Sequence, residues 1–183
     1  MNILIAGVGG QGTLLASRVL GNYAILSGLD CKLSEVHGMA QRGGSVVTYV
    51  RMGEKIYSPI IDEGGADVLL AFEKLEALRY SPIVKKDGFI IFSMQEIMPM
   101  PVVIGAALYP DKIEDKLENG IAVDAMEIAK KAGNVRVANT VMLGVLVKKL
   151  NLDYNMAEKA LIMSIPEKTV EVNEKAFLMG YNM

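Results

Sequence analysis

The chain has 183 residues, of which 51% are hydrophobic and 22% are charged, and its formal net charge is -2. This length suits one compact domain spanning residues 1–183, and the composition is that of a globular protein rather than a disordered one. The small negative charge argues against a nucleic-acid partner, which requires a basic surface.

The start of the chain and its few thiol and imidazole groups exclude further classes. No basic leader precedes the short apolar run at residues 3–6, and no stretch is long and apolar enough to span a bilayer. We therefore expect a cytoplasmic protein without a membrane partner. A single cysteine, Cys31, and a single histidine, His37, cannot hold a metal ion or an iron–sulfur cluster. Any such centre must lie on another chain.

Apolar runs and helical periodicity predict strands that alternate with helices. Strands are predicted over residues 2–6, 31–36, 45–51, 55–58, 67–72, 89–93, 101–105 and 121–123. Helices are predicted over residues 13–26, 73–80, 124–133, 139–150, from 155 onward, and 166–180. This alternation indicates an α/β fold, a three-layer α/β/α arrangement around a sheet of mostly parallel strands.

Local signals predict where several of these elements begin and end. Met52, Gly53 and Glu54 predict a tight turn between two strands, a β-hairpin inserted after a Rossmann-like start.

Asp124 and Asn139 are predicted helix caps. Asn155 and Glu158 have capping-box spacing, and Gly133 and Pro166 mark a helix end and a helix start. Gly144 lies inside a helix with apolar residues on every side, which indicates burial and a close packing contact.

The glycine-rich loop between the first strand and first helix is the first candidate site. Its sequence fits G-x-G-x-x-G, and the candidate residues are Gly7, Gly9, Gly10, Gln11 and Gly12. Glycines allow close backbone approach, and a helix N-terminus attracts an anion. Anion or phosphate binding and a tight turn without a ligand are equally compatible with this pattern.

A dinucleotide site is the third interpretation of the same loop. It requires an acidic residue at the end of the second strand, and Glu35 lies near that place. The second strand should then lead into a crossover helix, whereas here a glycine-rich loop and the predicted β-hairpin follow. That departure disfavours a nicotinamide or flavin cofactor.

Three segments together resemble one family. They are the loop at residues 7–12, the run Glu35-Val36-His37-Gly38-Met39-Ala40-Gln41-Arg42-Gly43-Gly44-Ser45-Val46, and the run Asn139-Thr140-Val141-Met142-Leu143-Gly144. Their order and spacing resemble the gamma subunits of 2-oxoacid:ferredoxin oxidoreductases. The long middle run, with residues 72–80 after it, is most similar to the beta subunits of the indolepyruvate branch. The resemblance covers essentially the whole chain.

The resemblance implies oxidation of aryl 2-oxoacids such as indolepyruvate, with coenzyme A receiving the acyl group and ferredoxin the electrons. Thiamine diphosphate, magnesium and iron–sulfur clusters carry that chemistry. The chain has no clustered cysteines and no Gly-Asp-Gly followed by Asn-Asn, the pattern of thiamine diphosphate–magnesium sites. We therefore expect no cofactor in this chain, a larger partner subunit that holds them all, and no activity in isolation.

The loop around Arg42 is the second candidate site. His37, Gln41, Arg42, Gly43, Gly44 and Ser45 can present backbone N–H groups and a guanidinium to a phosphate or carboxylate. We expect this loop and the glycine-rich loop to face the large subunit, near coenzyme A or the substrate. The alternatives are an internal salt bridge for Arg42 and a hydrogen-bonded structural role, rather than acid–base catalysis, for His37.

Two other functions fit the sequence. One is a stand-alone NAD- or FAD-binding oxidoreductase with a Rossmann-like fold, and the other is a non-catalytic module that binds nucleotides or acyl-CoA. An apolar surface made for a missing partner would also drive homodimers of the isolated chain. Methionines between Met94 and Met100 belong either to such a subunit contact or to ordinary packing.

Overall fold

The computed structural model describes residues 1–38 and 43–183. The candidate residues Gln41 and Arg42 lie outside this described part of the chain. The strands are β1 (Asn2–Val8), β2 (Asp30–His37), β3 (Ser45–Gly53), β4 (Ala66–Ala71), β5 (Val84–Ser93) and β6 (Gly120–Val123). The helices are α1 (Thr13–Leu26), α2 (Lys74–Tyr80), α3 (Met100–Val103), α4 (Ala125–Ala132), α5 (Ala138–Lys149), α6 (Tyr154–Ile162) and α7 (Val170–Tyr181).

The six strands form one mixed sheet in the order β2-β3-β1-β4-β5-β6. Neighbouring strands from β1 to β6 through β4 and β5 are parallel, whereas β3 is antiparallel to both β1 and β2. The predicted mixed sheet, in which parallel strands dominate, is confirmed. All four parallel strands therefore end at the same edge, which we call the carboxyl edge.

Helices cover both faces of the sheet, which confirms the three-layer arrangement. Ile3 and Ile5 of β1 face a large buried cluster built with α1, α4, α5, α6 and α7. Leu4 and Ala6 point the other way, into a smaller cluster that includes Ala77 of α2. Alternate burial on the two faces explains why the strands are continuous apolar runs. Within the described residues, no helix combines the length and the hydropathy needed to cross a bilayer.

Helix α5 is buried, and it packs against α7 through glycine. A Cβ added to Gly144 would lie 2.2 Å from the carbonyl oxygen of Phe177, and one added to Gly180 would lie 2.1 Å from that of Val141. The two backbones therefore approach more closely than any other residue would allow. The predicted burial of this helix and the predicted close contact at Gly144 are both confirmed.

The predicted hairpin turn at Met52, Gly53 and Glu54 is wrong. The hairpin is formed by β2 and β3, with Glu35 opposite Thr48 and His37 opposite Val46, so its connection lies at residues 38–44. Residues 55–58 form no strand. Instead of a ladder, the Arg51 guanidinium donates to the carbonyl oxygens of Ser58 and Ile60 at 3.1 and 3.0 Å.

The predicted strand at residues 101–105 is also wrong, because this segment contains the short helix α3. Its β-branched residues are typical of strands, but Pro101 lies in the first turn of α3, where a proline fits. Its carbonyl oxygen then accepts hydrogen bonds from the N–H groups of Ala106 and Ala107 at 2.8 and 3.0 Å. These local bonds replace those that a strand would make with a neighbour.

The predicted helix start at Asp124 and helix end at Gly133 are confirmed, whereas the predicted starts at Asn139 and Asn155 are wrong. The Asp124 side chain accepts from Glu127 N–H, and Gly133 ends α4 with φ of 119°. Asn139, in contrast, lies inside α5, and its side-chain oxygen accepts from the next N–H, that of Thr140. Asn155 likewise lies inside α6, which is capped by Asp153. A preceding 3₁₀ turn displaces the start of α5, and the nearby Asp153 replaces Asn155.

Candidate functional site

The glycine-rich loop joins β1 to α1 at the carboxyl edge, as the sequence predicts. Gly10 and Gly12 have φ of 104° and 88°, a region that favours glycine. No side chain of the described residues caps α1, and its first turn contains no acidic residue. The first backbone bond of the helix runs from Ala16 N–H to the Gly12 carbonyl. Among the described residues, the N–H groups of residues 13–15 in the first turn donate to no backbone carbonyl, so they are available to an anion.

Gln11 is held by bonds within the chain. Its Nε2 donates to the carbonyl oxygen of Phe72 at 2.8 Å and to Gln95 Oε1 at 2.9 Å. Its Oε1 accepts from Val8 N–H at 2.7 Å. Both amide hydrogens are thus used within the chain, and these bonds hold the loop against the ends of β4 and β5.

The loop separates two cavities. One, which we call the carboxyl-edge crevice, has a volume of about 380 Å³ and lies at the ends of β1, β4, β5 and β6. It is lined by Gln11, Phe72, Ser93, Gln95, Arg136 and Asn139, among others. Helix α1 covers one face of the sheet and α2 the other, so the chain changes face between β1 and β4. Ligands of α/β sheets bind at such switch points.

The second cavity, which we call the β2–α1 groove, also has a volume of about 380 Å³. It lies on the other side of the glycine-rich loop and is lined by Gly9, Gly12, Leu14, Glu35, His37 and Val46, among others. Described residues of the glycine-rich loop and of the segment at residues 35–46 therefore line one groove. Gly9 N–H donates to the Gly44 carbonyl at 2.9 Å, which joins the two directly.

His37 and Ser45 face opposite sides of the sheet. His37 is the exposed last residue of β2, and its Nδ1 lies 3.3 Å from the Gly38 carbonyl oxygen. Ser45 instead hydrogen-bonds the carboxylate of Glu76 and lies 3.1 Å from the Tyr80 hydroxyl. Of these two candidates, only His37 lines the groove. Ser45 joins the hairpin to α2.

Glu35 does not occupy the place that a dinucleotide site requires. In that fold the second strand lies beside the first, whereas here β3 lies between β1 and β2 and runs antiparallel to both. Glu35 does line the groove with Gly10 and Gly12, and its Oε2 accepts from Thr48 Oγ1 at 3.4 Å. The strand order therefore disfavours the nicotinamide interpretation further.

Arg136 is a candidate that the sequence pattern did not reveal. It lies in the 3₁₀ turn Val135–Val137 before α5, is exposed, and is the one cationic residue that lines the carboxyl-edge crevice in the described chain. Asn139 lies one turn later, and a Cβ added to Gly12 would lie 2.2 Å from its Nδ2. The signal was present, because the run beginning at Asn139 belongs to the segments that resemble the family.

A buried polar cluster lies beside the crevice, and the sequence pattern did not reveal it either. Glu73 is 1% exposed, and one of its oxygens accepts from Glu76 N–H at 2.8 Å, capping α2. Its other oxygen accepts from Ile97 N–H and from the Tyr109 hydroxyl, each at 3.0 Å. These bonds tie the end of β4 to the segment that follows β5.

Lys74, which is also buried, completes this cluster. Its Nζ lies 2.7 Å from Glu96 Oε1 and 2.6 Å from Glu114 Oε1. Hydrogen bonds to Glu114 and Glu96 raise the pKa of Lys74 above its ordinary value. The same ammonium lowers the pKa of the Glu114 carboxyl. This pair of ion pairs holds both ends of the segment between Glu96 and Glu114.

Several known proteins similar to this chain are named as oxidoreductases of 2-oxoacids. Residues 2–183 match the family model described as pyruvate ferredoxin/flavodoxin oxidoreductase. The chain is 41% identical to the indolepyruvate oxidoreductase subunit IorB of Thermococcus kodakarensis, and the alignment covers 98% of this chain and 93% of that protein. It is 42% identical to IorB of Archaeoglobus fulgidus, with 100% and 94% covered.

A solved structure and a longer relative extend the comparison. The chain superposes on the gamma subunit of a keto/oxoacid ferredoxin oxidoreductase from Geobacter sulfurreducens with a TM-score of 0.75 and 29% identity, covering 99% of this chain and 96% of that one. It is also 30% identical to the ketoisovalerate oxidoreductase subunit VorA of Methanothermobacter marburgensis. That alignment covers 98% of this chain but only 36% of the relative.

Proposed function

The chain belongs to the pyruvate ferredoxin/flavodoxin oxidoreductase family, and on that premise we propose that it is the small subunit of an indolepyruvate ferredoxin oxidoreductase. The complex oxidatively decarboxylates aryl 2-oxoacids such as indolepyruvate and phenylpyruvate, passing the acyl group to coenzyme A and the electrons to ferredoxin. One observation carries the proposal: identity of 41–42% to IorB subunits over nearly the full length of both chains.

The proposal divides the work between two chains in the cytoplasm. The large subunit holds thiamine diphosphate, magnesium and iron–sulfur clusters, and these supply the carbanion and electron chemistry. The small subunit completes the site by binding and orienting an anionic substrate and by excluding water. Its loops at the carboxyl edge lie where ligands of such sheets bind.

Coenzyme A phosphates are the anions that we assign to this edge. The uncapped N-terminus of α1, the Arg136 guanidinium and the nearby Asn139 amide support this assignment from the described residues. Arg42 is proposed to add a second guanidinium, on the strength of the family resemblance. Arginine guanidinium groups and a helix N-terminus each suit phosphate groups, because each donates hydrogen bonds that an anion strengthens.

Reconstitution tests the function. The purified chain is assayed alone and with the large subunit from the same organism, following reduction of ferredoxin by indolepyruvate in the presence of coenzyme A. We expect activity only with both chains. Activity of the small subunit alone, or a mixture that oxidises NADH but not indolepyruvate, contradicts the proposal. Tight NADH binding by the isolated chain supports the stand-alone alternative.

Two arginine variants of the complex test the anion site. Arg136→Ala and Arg42→Ala should each raise the KM for coenzyme A about tenfold, the effect of losing one charge-assisted hydrogen bond. The melting temperature of the subunit should change little. Lys149→Ala is the control, because it removes one positive charge from the exposed far end of α5. An unchanged KM in both arginine variants contradicts the assignment.

A further inference from the structure

A segment without charge follows β5 and faces the solvent. Residues 97–110, which we call the apolar arch, contain no Asp, Glu, Lys or Arg. Met100, Val103, Ile104 and Leu108 are exposed by 68%, 65%, 68% and 93%. Soluble proteins scatter such side chains singly over their surfaces, whereas a contiguous group marks an interaction site.

The arch is an ordered structure rather than a frayed loop. Glu73, a buried carboxylate, accepts hydrogen bonds from both of its ends, Ile97 N–H and the Tyr109 hydroxyl, each at 3.0 Å. Its middle is closed by α3 and by the bonds from Ala106 and Ala107 to the Pro101 carbonyl. A shape fixed before contact lowers the entropy that ordering costs on binding, so the arch is preorganised to dock.

The arch also lies next to the candidate site. Gln95, just before the arch, lines the carboxyl-edge crevice and accepts the hydrogen bond from Gln11 at 2.9 Å. Lys74 fixes the flanking residues through its ion pairs with Glu96 and Glu114. A partner bound to the arch would therefore contact a surface that is continuous with the crevice and the glycine-rich loop.

We propose that the apolar arch docks the large, thiamine diphosphate-containing subunit, an inference that rests on the proposed function. In VorA of Methanothermobacter marburgensis the matched region is 36% of a longer chain, so there this fold shares its chain with further parts of the enzyme. An interface between parts that stay together permanently is rich in apolar residues. Ferredoxin, a transient partner, would instead be expected to use charged groups.

Two matched isoleucines test this docking. Ile104 and Ile25 are 68% and 71% exposed, and Ile25 lies in the last turn of α1, at the opposite edge of the sheet. Ile104→Lys and Ile25→Lys add the same charge, and Leu108→Lys provides a second change in the arch. The dissociation constant of each full-length variant from the large subunit is measured by sedimentation, with thermal melting to check folding.

The outcomes separate the possible occupants. We expect both arch variants to weaken binding at least tenfold and Ile25→Lys to bind as the unmodified chain does. Unchanged binding by both folded arch variants overturns the inference but leaves the proposed function intact. Arch variants that abolish a homodimer yet still bind the large subunit also overturn it, because a second copy is then the occupant. Failure of the unmodified chain to bind any large subunit overturns both proposals.

Discussion

At the scale of single residues, the carboxamide of Gln11 holds the glycine-rich loop against the ends of two strands. Gln11→Glu keeps the shape but replaces the donor that faces the carbonyl oxygen of Phe72 and Gln95 Oε1. Two acceptors then lack a donor and a charge lies beside them, so we expect a loss of about 2–4 kcal/mol in the free energy of unfolding. Urea denaturation of the isolated chain measures this.

The matched control for this prediction changes the other partner of the same hydrogen bond. Gln95→Glu retains an accepting oxygen toward Gln11 Nε2, so the bond survives and the expected loss is under about 1 kcal/mol. Equal losses in the two variants would show that the donors of Gln11 do not hold the loop. A ligand-binding role for its side chain would then regain support.

The ionisation of Tyr109 should lower the free energy of unfolding at alkaline pH. Burial, and then the neighbouring Glu73 carboxylate, raise the pKa of the Tyr109 hydroxyl well above its ordinary value. The unfolded chain releases this proton near pH 10 while the folded chain retains it, so unfolding releases a proton. The contribution of Tyr109 is complete below about pH 10 and declines as the pH rises further.

Tyr109→Phe isolates that contribution. At neutral pH we expect the variant to be less stable by about 1–2 kcal/mol, because Glu73 loses a hydrogen bond while it remains buried. The difference from the unmodified chain should shrink between pH 9 and pH 11 in urea titrations, as the sign of the linkage requires. Tyr57→Phe is the control, since Tyr57 is 83% exposed. A difference that grows with pH would contradict the assignment.

At the scale of the elements, the crossing of α5 and α7 is the contact most sensitive to a single methyl group. Gly144→Ala would place Cβ 2.2 Å from a backbone oxygen of α7, and backbone cannot rotate away as a side chain does. Despite the better helix propensity of alanine, we expect a loss of about 3 kcal/mol. Calorimetric or urea unfolding measures this.

Gly21 in α1 is the matched control for Gly144. A Cβ added there would lie 3.2 Å from the tip of Leu33, a side chain that is 44% exposed and can move. Gly21→Ala should therefore be neutral or stabilise by up to about 1 kcal/mol. If both alanines stabilise the chain, the two helices do not need glycine to approach each other.

Helices marked by apolar periodicity could be predicted from the sequence, whereas the pairing of strands could not. The bounds of α1 and the burial of α5 follow from apolar spacing alone, and the structure agrees with both. The hairpin was predicted at Gly53 because Met52, Gly53 and Glu54 fit a short turn, whereas no short-turn signal lies between the strands that do pair, β2 and β3. Arg51 instead donates to the carbonyl oxygen of Ser58, in the segment that the pattern assigned to a strand, and to that of Ile60 beyond it.

The candidate site was predictable in its loops but not in its supports. Glycine spacing indicated the loop at Gly9 to Gly12, and the structure adds a hydrogen bond from Gly9 to Gly44 that the sequence did not predict. Arg136 and Glu73 were missed because each becomes informative only through contacts with residues distant in sequence. The available signal was a glutamate directly after the apolar run at residues 67–72. A carboxylate at the end of a buried strand is itself expected to lie among partners, since burial of a carboxylate requires them.

At the scale of the whole molecule, complex formation should protect one surface and leave the core as it is. In the isolated chain, amides of α3 and of Ala106 and Ala107 are held only by local bonds at the surface, so they should exchange hydrogen with the solvent rapidly. Amides of α5, which is buried along most of its length, should exchange slowly with or without a partner.

Hydrogen exchange with and without the large subunit measures this difference. At free partner concentrations about a hundred times the dissociation constant, amides that open only when the partner leaves should exchange about a hundredfold more slowly. We expect that protection over residues 97–110 and the glycine-rich loop, and none around Ile25 in the last turn of α1. Protection confined to the opposite edge of the sheet, around Ile25, would mean that the partner binds there. The arch would then remain exposed to solvent in the complex, and the docking proposal would be wrong.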